Sequence, residues 1–195
     1  MTYVLAYDIG TTGVKTCLFS VGERIELLSS SQQGYGLYIL PDGGAEQDSE
    51  EWWQAMCATT RELFSKVDIS PSMVAGISFC SQMQGLVLVD REGIPVRRPM
   101  SYMDQRAKEE LRRGIANGIQ VAGANIFKLL TSLRLTGAVS SSVKDPLWKY
   151  KWVQAHEAGE LPPGLEVAGR EGISYTPLYR RGCDDQGQRL FHLPL

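Results

Sequence analysis

Short apolar runs broken by turn residues fill the first third of the chain, and their spacing predicts strands. Residues 3–7 form a continuous run of the kind a buried strand carries, and residues 15–20 predict a second strand. Between them Gly10, Thr11, Thr12 and Gly13 predict a tight hairpin connection. Residues 24–30 and 34–40 predict two further strands. The period then changes. Asp48, with Glu51 three residues on, predicts a capping box in which Asp replaces Ser or Thr. Trp52, Trp53, Met56, Leu63 and Phe64 follow at helical spacing, so the helix is expected to reach Lys66.

Pro71 restarts the chain, after which residues 74–79 and 86–89 predict strands, the second ending in the turn Asp90-Arg91-Glu92-Gly93. Helical patterns cover residues 105–116 and, after Asp145 as cap and Pro146 at the first helical position, residues 147–156. A strand-rich start that feeds a helix and returns to strands predicts an α/β fold with a mixed sheet. Residues 1–157 contain no internal repeat and no low-complexity segment.

Composition narrows the class. A chain of 195 residues with 43% apolar and 22% charged residues and a formal net charge of −2 is that of an ordinary globule with one sizeable core. It excludes a polyanion-coating protein, and neither a nucleic-acid nor a membrane partner is expected. The apolar opening before Asp8 is too short for the core of a signal peptide, so the cytoplasm is the expected compartment. Cys17, Cys57, Cys80 and Cys183 lie far apart, and His156 and His192 are the only histidines, which excludes an obvious zinc site. Three of the cysteines sit in apolar runs and are read as small buried thiols without chemistry.

The stretch Asp8-Ile9-Gly10-Thr11-Thr12-Gly13-Val14-Lys15-Thr16 carries the most chemistry. Glycines at both ends of the turn let successive amide N–H groups face one concavity, a ready anion site, and the threonine hydroxyls add two donors. Asp8, leaving the strand before the turn, is placed to hold a hydrated Mg²⁺, and Lys15 on the returning strand can reach a phosphate. A plain hairpin with common turn residues is the bland alternative. Neither G-x-x-x-x-G-K nor G-x-G-x-x-G is present, which excludes a Walker loop and a dinucleotide fingerprint.

The hairpin resembles the first phosphate motif of the actin, Hsp70 and sugar-kinase superfamily. Glu46-Gln47-Asp48 ahead of Trp52-Trp53 resembles the EQDPEEWW segment of FGGY carbohydrate kinases. Residues 77–90, ISFCSQMQGLVLVD, are similar to the ISGQMHGLVLLD stretch of that family and of its xylulose-kinase branch, with Gln84 where the branch has His. Tyr102-Met103-Asp104-Gln105-Arg106 resembles the family's WNDQR, Tyr102 and Met103 replacing Trp and Asn. Residues 142–149 also look like family sequence, so the resemblance covers residues 1–157 in order.

The resemblance implies a two-domain enzyme, each domain built on a ribonuclease-H-like sheet, with ATP, Mg²⁺ and a sugar or polyol in the cleft between them. This chain would hold an incomplete N-terminal domain. Asp8, Gly10, Thr11, Thr12, Gly13 and Lys15 would bind the nucleotide phosphates, Asp8 holding the metal through water. Gln82, Met83, Gln84, Tyr102, Asp104 and Arg106 would form the substrate side. Gln82, Gln84, Asp104 and Arg106 would offer donors and acceptors to vicinal hydroxyls, and Tyr102 a flat wall for the carbon face. Trp52 and Trp53 are read as helix core. The family's general base is an Asp in a Gly-rich segment of the second half, beyond residue 195, so no catalytic residue is expected here.

Past Glu157 the pattern fails, and residues 158–195 show no regular period. Back-translated with freely chosen codons and read one base later, this segment can give "WLDVKEYL" and "MTKDSAF", which resemble the family's continuation. The expectation is a one-base frameshift with an early stop and a poorly ordered tail. Two other activities compete with a truncated sugar kinase: a non-catalytic sugar or phosphate binding module, and another ATPase of the superfamily. Residues 46–48 and 82–85 argue against the last.

Overall fold

Alternation along the first two strands sets the central sheet. In β1 (Thr2–Ile9) Leu5, Tyr7 and Ile9 turn inward, and in β2 (Gly13–Val21) Val14, Thr16, Leu18 and Ser20 do the same, so each strand offers one buried face. The computed structural model describes residues 2–90, 92–116, 120–121, 124–125, 142–159 and 166–167. β3 (Ile25–Gly34) pairs antiparallel with β2, β2 pairs antiparallel with β1, and β6 (Val74–Ser81) lies parallel to β1, giving the order β3-β2-β1-β6. The mixed sheet expected from the sequence is therefore present.

Between β3 and β6 the chain makes the short pair β4 (Tyr38–Ile39) and β5 (Ala45–Glu46), then helix α1 (Ser49–Ser65). Ala55, Met56 and Leu63 of the helix pack on Leu5, Tyr7, Ile9, Val14 and Leu18 of the sheet to form the main core. Two hydroxyl pairs cross this interface, Tyr7 Oη to Thr60 Oγ1 and Thr16 Oγ1 to Thr59 Oγ1, both at 2.7 Å. A second layer holds β7 (Leu88–Val89), α2 (Lys108–Ala116), the pair β8 (Gln120–Val121) and β9 (Ala124–Asn125), α3 (Pro146–His156) and β10 (Glu166–Val167), which pairs antiparallel with β7. Leu86, Leu88, Met100 and Val153 make its core.

Several boundaries differ from the sequence reading, each for a tertiary reason. β3 continues to Gly34 because Gly13 and Gly34 sit opposite each other, so close that a Cβ on Gly13 would lie 2.6 Å from the Gln33 carbonyl oxygen. The strand expected over residues 34–40 is reduced to Tyr38–Ile39, since residues 35–37 leave the sheet to pass beneath the hairpin. Asp48 caps α1 by accepting from the Glu50 amide, but the reciprocal half of the capping box is absent. Glu51 instead accepts from the Gly36 amide and the Tyr38 hydroxyl, which hold its carboxyl below the usual range. α2 starts at Lys108 rather than residue 105, because residues 101–106 turn around Asp104.

Cys17 and Cys57 are half-buried, whereas Cys80 is exposed, contrary to its expected burial. Cys183 and His192 lie outside the described residues. So does the expected disorder of residues 158–195, apart from Ala158, Gly159 and β10.

The crossing hydroxyls make a test. Thr16 and Thr59 are both fully buried, so Thr59→Val strands the Thr16 hydroxyl and is expected to cost about 1–3 kcal/mol in urea unfolding. Replacing both with Val removes the stranded group and is expected to restore most of that loss; a double variant no more stable than Thr59→Val would show that the two hydroxyls are not coupled.

Candidate phosphate and substrate site

The turn between β1 and β2 is held from behind. The Gly10 amide donates to the Gly13 carbonyl at 2.9 Å, and three carbonyls of the turn are taken by groups distant in sequence. The Tyr35 hydroxyl donates to Gly10 O, the Gln47 carboxamide to Thr11 O at 2.8 Å, and the Tyr35 amide to Thr12 O at 3.3 Å. A trans peptide is planar, so a carbonyl drawn to one side throws the following N–H to the other. The amides of Thr11 and Thr12 consequently face away from the protein and have no acceptor among the described residues. Two outward N–H groups beside the exposed Thr12 and half-exposed Thr11 side chains make the concavity that suits an anion.

Asp8 and Lys15 are direct cross-strand partners, both exposed, so their side chains share one face beside the turn. Neither side chain makes an ion pair or hydrogen bond among the described residues. The Asp8 charge is felt by Tyr35, whose hydroxyl is pushed well above its ordinary range first by burial and then by that carboxylate. Tyr35 therefore stays a neutral donor to Gly10. A single free carboxylate suits a cation that keeps most of its waters and takes its other ligands from phosphate, as Mg²⁺ does; among the described residues no group of three or more His, Cys, Asp or Glu forms a closed metal cage.

The end of β6 enters the same region. The Gln82 amide donates to Ile9 O at 2.9 Å, and its carboxamide donates to Gln47 Oε1 at 2.5 Å, so Gln82 is bound to the hairpin through Gln47. Met83 is 73% exposed and Gln84 is exposed with φ at +62°, a left-handed conformation unusual for a residue with a side chain. Lys149 of α3 explains how it is held: fully buried, it donates to Gln84 O at 2.6 Å and to Lys144 O at 2.9 Å. Tyr102 is half-buried with the Lys144 ammonium 5.4 Å above its ring.

Asp104 and Arg106, expected on the substrate side, are engaged with each other and with Glu46. Asp104 is fully buried, and its oxygens accept from the Ala45 and Arg106 amides and from the Arg106 guanidinium at 2.7 Å. Arg106 also binds Glu46 at 2.6 Å and stacks 4.4 Å over the Trp152 ring. Arg97 extends the chain of charges from Glu46 to Glu157. The two residues brace β5 against α3. Sequence reasoning missed Tyr35, Gln47 and Lys149 as supports of the site; the only local signal was Gln47's place in the Glu46-Gln47-Asp48 segment.

Comparison with known proteins gives the family and the fold. The N-terminal domain of the FGGY family of carbohydrate kinases matches residues 3–161. A xylulose kinase from Staphylococcus epidermidis is 36% identical over 154 residues, which is 79% of this chain and 28% of that protein. The ligand-bound xylulose kinase of Lactobacillus acidophilus superposes with a TM-score of 0.65 at 23% identity over 82% of this chain and 29% of that one. The glycerol kinase of Plasmodium falciparum with ADP gives 0.66 at 16% identity over 87% and 33%. The chain thus spans less than a third of the length of the curated relatives it matches. The fold they share is the ribonuclease-H-like one of sugar kinases, of which this mixed sheet with its helices is a part.

Lys149 gives the site a pH signature. Burial pushes its ammonium down from 10.5 to about 8, against the pull of Asp104 and Asp145. The folded state therefore disfavours the charged form, a cost that is complete below pH 8 and relieved as the pH rises toward 10.5. Stability is expected to rise across that window by up to about 3 kcal/mol, relative to a Lys149→Met variant measured alongside by chemical denaturation. Parallel pH profiles for the two proteins would refute this.

Proposed function

The chain belongs to the FGGY family of carbohydrate kinases, and from that premise we propose that it carries the phosphate-holding surface and part of the substrate surface of a cytoplasmic enzyme that phosphorylates a hydroxyl of a ketose or polyol with ATP. The observation that supports this best is the turn whose carbonyls are tied back by Tyr35 and Gln47, leaving two amides outward. Thr11 and Thr12 would receive phosphate oxygens, Gly10 and Gly13 would keep the backbone close to them, and Lys15 would add a positive charge. Asp8 would hold the hydrated Mg²⁺, which when bound neutralises the phosphate charge. Gln82, Met83, Gln84 and Tyr102 would line the substrate side, Lys149 setting the position of Gln84.

The 195 residues by themselves would not turn over. General-base catalysis contributes about 10²- to 10⁴-fold, and positioning in a closed cleft about 7–11 kcal/mol; in this family the base comes from the second half. We read residues 158–195 as the product of a shifted frame, and sequencing the locus past codon 157 tests that reading: an uninterrupted frame with no kinase-like sequence in the other frame refutes it.

Purified as it stands, the chain is expected to bind MgATP at millimolar strength or weaker, about 4 kcal/mol, because the turn reaches only the phosphates. Thr12→Ala is expected to weaken that binding by about 1.5–3 kcal/mol through loss of a charge-assisted hydrogen bond. A micromolar constant by titration calorimetry would contradict the first expectation. In a coupled ADP-release assay with xylulose, ribulose or glycerol, no substrate-dependent rate is expected; turnover near ~1 s⁻¹, an ordinary enzymatic rate, would place the base within these residues.

A further inference from the structure

Helix α1 packs on one face of the central sheet, and the register sets a different group of residues on the other. At one level across the four strands lie Leu27 of β3, Phe19 of β2, Val4 of β1 and Gly76 of β6. At the hairpin end of the same face stand Asp8 and Lys15, both exposed. None of these six residues belongs to a buried core cluster among the described residues, and Leu27 is 56% exposed. The face has unequal halves. β2 and β3 raise the large side chains of Phe19 and Leu27, whereas β1 and β6 offer the smaller Val4 and no side chain at Gly76. A Cβ built on Gly76 would meet nothing within 4 Å, so the space above the thin half is open.

We propose that this face is an interface for a second copy of the chain, packed sheet on sheet about a two-fold axis that runs along the strands between β1 and β2. In the order β3-β2-β1-β6 that line is the middle of the sheet. The axis sets β2 over the partner's β1 and β3 over the partner's β6, thick half on thin half. Phe19 then faces the partner's Val4, and Leu27 the partner's Gly76. The charges match under the same operation, because Asp8 meets the partner's Lys15 and Lys15 the partner's Asp8. An axis across the strands would instead set large residues on large ones and leave the thin halves apart. Four strands about 4.8 Å apart, with about 3.3 Å for each of the eight residues of β1, give roughly 500 Å² per copy. Two copies cover about 1,000 Å², the low end for specific interfaces, so a dissociation constant on the order of 100 µM is expected. The inference does not rest on the kinase reading, although Asp8 and Lys15 serve both, so partner and nucleotide would compete for them.

Sedimentation equilibrium of the 195-residue chain from about 10 µM to about 1 mM tests this, in low salt and with a reductant that keeps the exposed Cys80 from linking chains. A reversible monomer–dimer equilibrium is expected. Leu27→Glu, a charge set in the apolar middle, is expected to weaken it at least about tenfold; circular dichroism checks that this variant still folds. Asp8→Lys and Lys15→Asp each bring like charges together and are expected to weaken the dimer several-fold. An equimolar mixture of those two restores opposite charges at both contacts and is expected to dimerise more tightly than either alone, a comparison that stands even if Leu27→Glu does not fold. A wild-type chain that is monomeric at about 1 mM overturns the proposal. So does a dimer that survives Leu27→Glu, since its interface lies elsewhere, the β6 edge included. A mixture no tighter than its components would refute the axis and the interface with it.

Discussion

The buried carboxamide of Gln47 is the interaction on which the rest of the site depends. It is 1% exposed and joins two pieces of chain that are far apart in sequence, the phosphate turn at Thr11 and the end of β6 at Gln82. Its own amide donates to Pro99 O at 3.0 Å, bringing in the segment that leads to Ser101 and Asp104. It also stands directly before the Asp48 cap, so the start of α1 is fixed by the same residue. In a medium of low polarity an unmet amide is costly, which makes this set of bonds close to all-or-none. Turn, strand end and helix start are therefore positioned together.

A second constraint acts through charge. Glu157, Arg97, Glu46, Arg106 and Asp104 form one continuous chain of ion pairs, most of it shielded from water. Removing charges from water offsets much of the gain from pairing them, so such a chain adds little net stability. Its effect here is geometric: breaking any member leaves a buried charge without its partner, so β5 and the end of α3 keep one relative placement. That placement sets Lys149 under Gln84, and the conformation of the loop at Gln84 follows from it.

The sequence made the hairpin, α1, β6 and the α/β class legible because each has a local pattern: alternation, a cap, a period of 3.6 residues. It also exposed the turn of Gly10 to Gly13 as a phosphate candidate. It did not show that Tyr35 and Gln47 aim the amides of that turn, since the contacts join positions more than twenty residues apart and leave no periodic trace. Glu51 illustrates the same limit, because its spacing from Asp48 promised a local bond and a distant tyrosine took it. The mutual pairing of Asp104 and Arg106 was equally hidden, because polar residues in a loop look alike whether they face solvent or one another. Trp52 was read correctly as helix core, yet its indole nitrogen has a polar requirement that burial alone does not reveal.

The two outer strands of the sheet are not equally protected. β3 carries Glu26 and a register irregularity against β2, features that discourage a further strand from docking. β6, with the sequence Val-Ala-Gly-Ile-Ser-Phe-Cys-Ser, has no charge and no proline, and β1 is its only strand partner among the described residues. An uncharged edge that no other described strand covers is a template for adding strands. The rim of the folded sheet, rather than its interior, is therefore where a strand from another molecule would add.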